Sequence, residues 1–248
     1  MRRRFLADGT VSARGYEVAR WVSACPGWVA ATEEDIERFL DARALGARAR
    51  YTAISHLHRF YVWAIRHGHT VTDPTAGIDR PRLPRRLPRP ARLADVELVI
   101  AGAEPRMAAV LLLMVDAGLR CCEAARLEWR DVDLGVGVMI VRGKGDRDRM
   151  IGLTPRLAAT LATFDDTDGP VFGRTVTPAR LSQLVNRELR AAGVTAHQLR
   201  HTFATRAYRL LEGDVLALAQ LLGHASVINT QIYARVDVEA AAAAVRRL

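Results

Sequence analysis

Between residues 10 and 78 apolar side chains return every three to four positions, the spacing that lines one face of an α-helix. Val11–Ala24 carries such a stripe and stops at Cys25-Pro26-Gly27. Thr32 followed by Asp35 predicts a capping box that opens a helix over Glu33–Ala42. A longer helix over Arg48–His67 places Ile54, Leu57, Tyr61 and Ile65 on one face, with Gly68 ending it. Arg48, Arg50, His56, Arg59 and Arg66 are left for the opposite face.

The pattern breaks at Asp79–Arg92, where prolines 81, 84, 88 and 90 forbid a helix and favour an extended chain. Beyond it, Leu93–Ala101 and Pro105–Ala117 read as helices, the second apolar on all sides and therefore buried. Glu123–Trp129 reads as a further helix. Val136–Val141 and Arg149–Leu153 alternate as two short strands around a glycine-rich turn. Helices follow over Pro155–Phe164, Pro178–Ala192, His197–Leu211 and Val215–Leu222. The pattern therefore predicts a mostly α protein with a small antiparallel β-sheet. It divides into a helical module over 1–79, a basic Pro/Arg linker over 80–92 and a larger domain over 93–248.

Charge sharpens this division. The sequence pI is about 10.4 and the formal net charge is +9, which points to a polyanionic partner, with nucleic acid first. Residues 1–92 hold 17 arginines against 9 acidic residues, whereas 93–248 hold 19 basic against 18 acidic. The N-terminal third thus reads as an electrostatic grip on double-stranded DNA, through Arg48, Arg50 and Arg59 and the strap arginines Arg82, Arg85 and Arg86. The longest apolar run, Met107–Val115, is about half the length of a membrane span. Cys25, Cys121 and Cys122 make no disulfide framework, which fits a reducing cytoplasm. His56, His58, His67 and His69 crowd one stretch, but i,i+2 spacing spreads them over different helix faces and no carboxylate or cysteine completes a shell. No metal and no other cofactor is expected.

The candidate chemistry lies downstream. Lys144 is the only lysine among 36 basic residues, in the turn Arg142-Gly-Lys144-Gly-Asp-Arg. Lysine can give up a proton at useful pH and arginine cannot, so this position suits a general acid; a GC-rich genome would also favour arginine and leave a stray lysine. Arg120 and Arg200, 80 residues apart, offer two planar forks for the charge of a phosphodiester in its pentavalent transition state. Tyr233 offers a nucleophile that would leave a phosphotyrosine, and Lys144 can protonate the departing 5′ oxygen. Either His197 or His224 can take the tyrosine proton, leaving the other for the phosphate.

Taken in order, Ala117-Gly-Leu-Arg120-Cys-Cys-Glu123-Ala, Gly143-Lys144-Gly-Asp, His197-Gln-Leu-Arg200-His-Thr-Phe-Ala-Thr and Leu222-Gly-His224 through Gln-Ile-Tyr233 resemble the tyrosine recombinases, or phage integrase family. That resemblance covers about 93 to 240. It implies an N-terminal core-binding (SAM-like) domain and an α-rich catalytic domain clamped around DNA. It also implies Arg120, Lys144, His197, Arg200 and His224 as the activating set, Tyr233 as nucleophile and Glu123 as the acidic residue that braces them. Site-specific recombination through a 3′-phosphotyrosyl intermediate by a homotetramer on two core-type sites, with a directionality factor as a further partner, follows from the same likeness. Cys121-Cys122 depart from the family pattern and read as buried, inert thiols. The stretch before Val11 is too short for the extra domain with which larger integrases hold distant arm sites, so the expectation is a short integrase. A Xer-type recombinase of chromosome dimers, a type IB topoisomerase and a regulator that has lost catalysis are the competing readings.

Overall fold

The computed structural model describes residues 8–84, 89–143 and 148–223, together with Thr230 and Tyr233. Lys144, His224, Arg85 and Arg86 therefore lie outside the described residues, as does the tip of the expected hairpin. The chain forms two compact units, Met1–Arg85 and Arg86–Leu248, which divide inside the proline-rich strap. Residues 81–84 and 89–92 carry no regular structure there.

The first unit is built from α1 (Asp8–Ala24), α2 (Glu33–Asp41) and α3 (Ala47–Arg66). Thr32 and Asp35 close the expected capping box on α2. Trp21, Ile36, Leu40, Ile54, Leu57 and Tyr61 meet in the core. The one polar atom of Tyr61 is satisfied there, since its hydroxyl accepts from Trp21 Nε1 at 2.9 Å and donates to the Trp28 carbonyl at 2.9 Å. Ile65 departs from expectation. It is 40% exposed, and the buried face of α3 instead comprises Ala53, Ile54, Leu57, Phe60, Tyr61 and Ala64. The stripe turns with the 3.6-residue period and leaves Ile65 at the margin.

The second unit is organised around α5 (Pro105–Val115), which buries every residue from Ala109 to Val115. At roughly 1.5–3 kcal/mol for each large apolar side chain removed from water, this one helix supplies much of the unit's core. Packed around it are α4 (Leu93–Gly102), α6 (Cys121–Ala124), α7 (Pro155–Leu161) and α9 (Ala196–Leu210), with α8 (Pro178–Leu189) against α6 and α9, and α10 (Val215–Leu222) against α9. The helix expected over Glu123–Trp129 does not form. α6 stops at Ala124, a short 3-10 turn covers Trp129–Asp131, and the backbone between them pairs with Gly169 and Pro170. Long-range pairing overrides local helical preference there.

A three-stranded antiparallel sheet runs in the order β1 (Val132–Asp133), β2 (Val138–Val141), β3 (Arg149–Gly152). The strand pattern led to β2 and β3 but not to β1. Met139 pairs with Ile151 on the buried face, and Ile140 with Met150 on the exposed one. Arg149 shares the inward-facing register of Ile151.

Candidate active site

Three segments bring the charged groups together. The first is the bend before α6. Gly118 adopts φ +67°, and a Cβ there would stand 2.3 Å from the Phe203 ring, so only glycine lets the chain pass this close to α9. The bend places Arg120 at the N-cap of α6, where Glu123 accepts from both its backbone N–H (2.8 Å) and its Nη1 (2.7 Å).

The second segment is the start of α9. Thr195 and Gln198 form a capping box, and Ala196 N–H donates to Asn186 Oδ1 at 3.0 Å, which fixes where the helix begins. His197, Arg200 and His201 then fall within its first two turns. Arg200 is only 3% exposed; it donates through Nη2 to the Leu222 carbonyl at 2.6 Å and through Nη1 to the Gly118 carbonyl. Its Nη1 also lies 3.7 Å from Glu123 Oε2. Burial, and then the charge of Arg120, lower its pKa to about 10, still far above any working pH. The third segment is β3, from which Arg149 reaches Glu123 through both nitrogens of its fork, at 2.9 and 3.1 Å.

Glu123 is therefore the hub of the site. Burial pushes its carboxyl up, but the hydrogen bonds from Arg149 and the Arg120 N–H, with the charges of both arginines, outweigh that and hold it below the usual range. The carboxylate stays ionised among three guanidiniums.

Tyr233 is buried among Phe203, Ala204, Ala207, Leu218 and Leu222. Its hydroxyl sits 2.9 Å from His201 Nδ1. Burial raises the phenol's pKa while the Arg200 and Arg120 charges pull the other way. The net shift is upward, so the resting hydroxyl keeps its proton. His201 is neutral too, with a pKa lowered to about 4 by burial, then by His197 and Arg200. A neutral imidazole and a protonated phenol can share one hydrogen bond here, with Tyr233 donating when the ring proton is on Nε2. His197, at the solvent-facing start of α9, packs edge-on against His201 with ring centroids 4.3 Å apart. Partial burial and the charges of Arg200 and Arg120 lower its pKa as well.

A cavity of about 510 Å³ opens beside these groups, bordered by Arg120, Cys121, Cys122, Ser182, His197 and Arg200. The two cysteines are half-buried, and burial pushes the Cys121 thiol up, away from its reactive thiolate. Among the described residues no group of three His, Cys, Asp or Glu could hold a metal ion. No helix among them is long and apolar enough to cross a membrane.

Arg120, Glu123, His197, Arg200 and Tyr233, all expected from sequence, thus converge on one cluster. Two members of it were not expected. Arg149 carried no motif, although a charged residue at an inward-facing strand position was its signal. His201 stands four residues after His197, on the same helix face. The contact with the Tyr233 hydroxyl, expected of His197 or His224, is made here by His201. In the first unit Arg48, Arg59 and Arg82 are exposed, as a DNA grip requires, whereas Arg50 is engaged by Asp41. The charge of Arg50 is thus partly met within the protein.

The model of the phage integrase family matches residues 94–240. A tyrosine recombinase XerC of Xylella fastidiosa (strain M23) is 32% identical over 237 residues, covering 85% of this chain and 79% of that one. The solved integrase from mycobacterium phage Brujita is 30% identical, with a TM-score of 0.52, over 93% of this chain and 83% of that one. A lambda integrase dimer bound to a COC′ core site shares the fold at a TM-score of 0.74 and 19% identity, over 93% and 90% of the two chains. The chain belongs to the phage integrase family of tyrosine recombinases, enzymes of site-specific DNA cleavage and religation.

Proposed function

We propose that this recombinase cleaves one DNA strand at a core-type site by attack of Tyr233 on the scissile phosphorus, forming a 3′-phosphotyrosyl bond and releasing a 5′ hydroxyl. The observation that carries this reading is the gathering of Arg120 and Arg200 at the Glu123 carboxylate, with His197 and Tyr233 close enough to feel both charges. The phosphate enters the cavity beside Arg120, and the forks of Arg120 and Arg200 meet the charge that grows on its non-bridging oxygens. His201 hydrogen-bonds the tyrosine hydroxyl in the resting arrangement, and His197 and His224 complete the activating set. Lys144 protonates the departing 5′ oxygen. Religation reverses these steps on a second strand, with four subunits on two duplexes and a directionality factor selecting the outcome.

The substrate we favour is the attachment site of a phage or mobile element, supported by likeness to the mycobacterium phage integrase over most of both chains. Likeness to XerC supports a second reading, resolution of chromosome dimers. Recombination of plasmids bearing the chain's own genomic junctions, against plasmids bearing a chromosome-dimer site, separates the two.

The chemical test begins with a site selected from random duplexes by binding to the full chain, then nicked so that cleavage becomes irreversible. The parent protein is expected to form an SDS-resistant adduct at the DNA 3′ end. Tyr233→Phe should bind the same duplex equally well and form none. Adduct formation by Tyr233→Phe would show that the nucleophile lies elsewhere.

A further inference from the structure

The charges around Glu123 do not balance: one carboxylate faces three guanidiniums. Their engagement with it differs. Arg149 Nη1 lies 3.1 Å from Oε1 and Nη2 lies 2.9 Å from Oε2, so the fork grips both oxygens. Its remaining donor, Nε, reaches the Leu221 carbonyl at 3.0 Å. The side chain is 8% exposed. Arg120 makes one side-chain bond to the same carboxylate and is 40% exposed toward the cavity, while Arg200 stands 3.7 Å off. Of the three, Arg149 alone grips both Glu123 oxygens with its fork, and its Nε reaches the end of α10.

Its position also joins three segments. In sequence, β3 begins five residues after Lys144 and α10 ends two residues before His224, while α6 carries Glu123 beside Arg120. The fit at α10 is close, since Gly223 is at φ +60° and a Cβ there would stand 3.0 Å from Arg149 Nη1. A buried bidentate arginine–carboxylate pair has little freedom to rearrange, and removing one partner strands the other charge.

We propose that Arg149 is a positioning residue for strand cleavage. By neutralising Glu123 it leaves the charges of Arg120 and Arg200 uncompensated for the phosphate, and it holds the Glu123 brace against the end of α10. Without it, the stranded carboxylate draws on the two arginines that the transition state needs. Arg149 itself never touches DNA. This assignment rests on the functional reading above.

The experiment compares Arg149→Gln, Glu123→Gln/Arg149→Gln and Arg149→Lys in the full chain, on the nicked duplex already described. Arg149→Gln should slow adduct formation about 100-fold, the scale of losing one transition-state donor, with DNA affinity within about threefold of the parent. The double variant should be faster than Arg149→Gln, by about tenfold, because the stranded carboxylate is gone. A merely structural anchor predicts the opposite, since the double variant has lost one more polar contact. Arg149→Lys keeps the charge but loses the fork and the bond to Leu221, so its rate should fall between those of Arg149→Gln and the parent. If Arg149→Gln does not melt cooperatively, a folded Arg149→Lys as inert as Tyr233→Phe overturns the proposal. So does a double variant no faster than Arg149→Gln, or a tenfold loss of DNA affinity on its own. A parent protein that forms no adduct refutes the functional reading itself, which distinguishes the two failures.

Discussion

The exposed arginines of the N-terminal unit and those around Glu123 are the same side chain in two physical states. Arg48, Arg59, Arg66 and Arg82 are exposed. Their charge is hydrated, screened over about 10 Å at ordinary salt, and able to meet phosphates as one of many interchangeable contacts. Arg149 and Arg200 are buried against a carboxylate and backbone carbonyls, which fix the orientation of their forks. The first group supplies attraction that depends on how many charges there are. The second supplies geometry, which depends on where each nitrogen sits. A count of arginines, and a pI of about 10.4, cannot tell the two apart.

Conservative substitution is the sharpest way to break this contrast. Arg200→Lys should reduce adduct formation roughly 10²–10³-fold, because an ammonium cannot serve two carbonyls and a phosphate from one buried point. Arg59→Lys should leave the rate unchanged, since a solvated charge is preserved. Single-turnover cleavage of the nicked duplex measures both, and similar losses at the two positions would erase the distinction.

A smaller effect is expected from removing charge at the grip. Arg48→Gln with Arg59→Gln should weaken binding and flatten the slope of log affinity against log salt by about 0.9 per lost phosphate contact. Titrations at several salt concentrations read this directly. An unchanged slope would mean that these exposed arginines face away from DNA.

The smallest effect concerns pH. An unfolded histidine titrates near its ordinary value of 6.5, whereas burial, His197 and Arg200 bring His201 down to about 4. Between those values the unfolded chain binds more protons, so the stability contributed by a neutral His201 is lost as pH falls from about 6.5 toward 4. His197 shifts the same way. Melting temperature should drop on acidification through this window, and by less in His201→Gln. Equal drops in the two proteins would place the acid sensitivity elsewhere.

Much of this molecule was legible before its structure. The Thr32/Asp35 box, the apolar run of α5 and the bounds of α10 are local signals, and local physics realised them. Where partners distant in sequence decided the outcome, the pattern misled: pairing near Gly169 and Pro170 ended the helix expected through Trp129, and Val132–Asp133 became a strand only by joining Val138 and Met139. The site divides along the same line. Arg120, Glu123, His197, Arg200 and Tyr233 announced themselves by motif. Arg149 was one arginine among 35, and only the inward register of β3 set it apart. His201 lay inside the motif, but nothing in the spacing said that its ring, and not that of His197, would meet the tyrosine.

Tyr233, 3% exposed and hydrogen-bonded to His201, has a kinetic consequence. A hydroxyl in that position must leave its packing before it can approach a phosphorus atom, so the molecule partitions between an idle population and a competent one. Every 1.4 kcal/mol or so required for release lowers the competent fraction about tenfold. Whatever contacts only the released form, whether a second subunit or a correctly aligned duplex, restores that fraction by mass action. Discrimination between right and wrong DNA can then reside in occupancy of the competent state instead of in residence on the duplex. A molecule resting on chance sequence leaves the backbone whole.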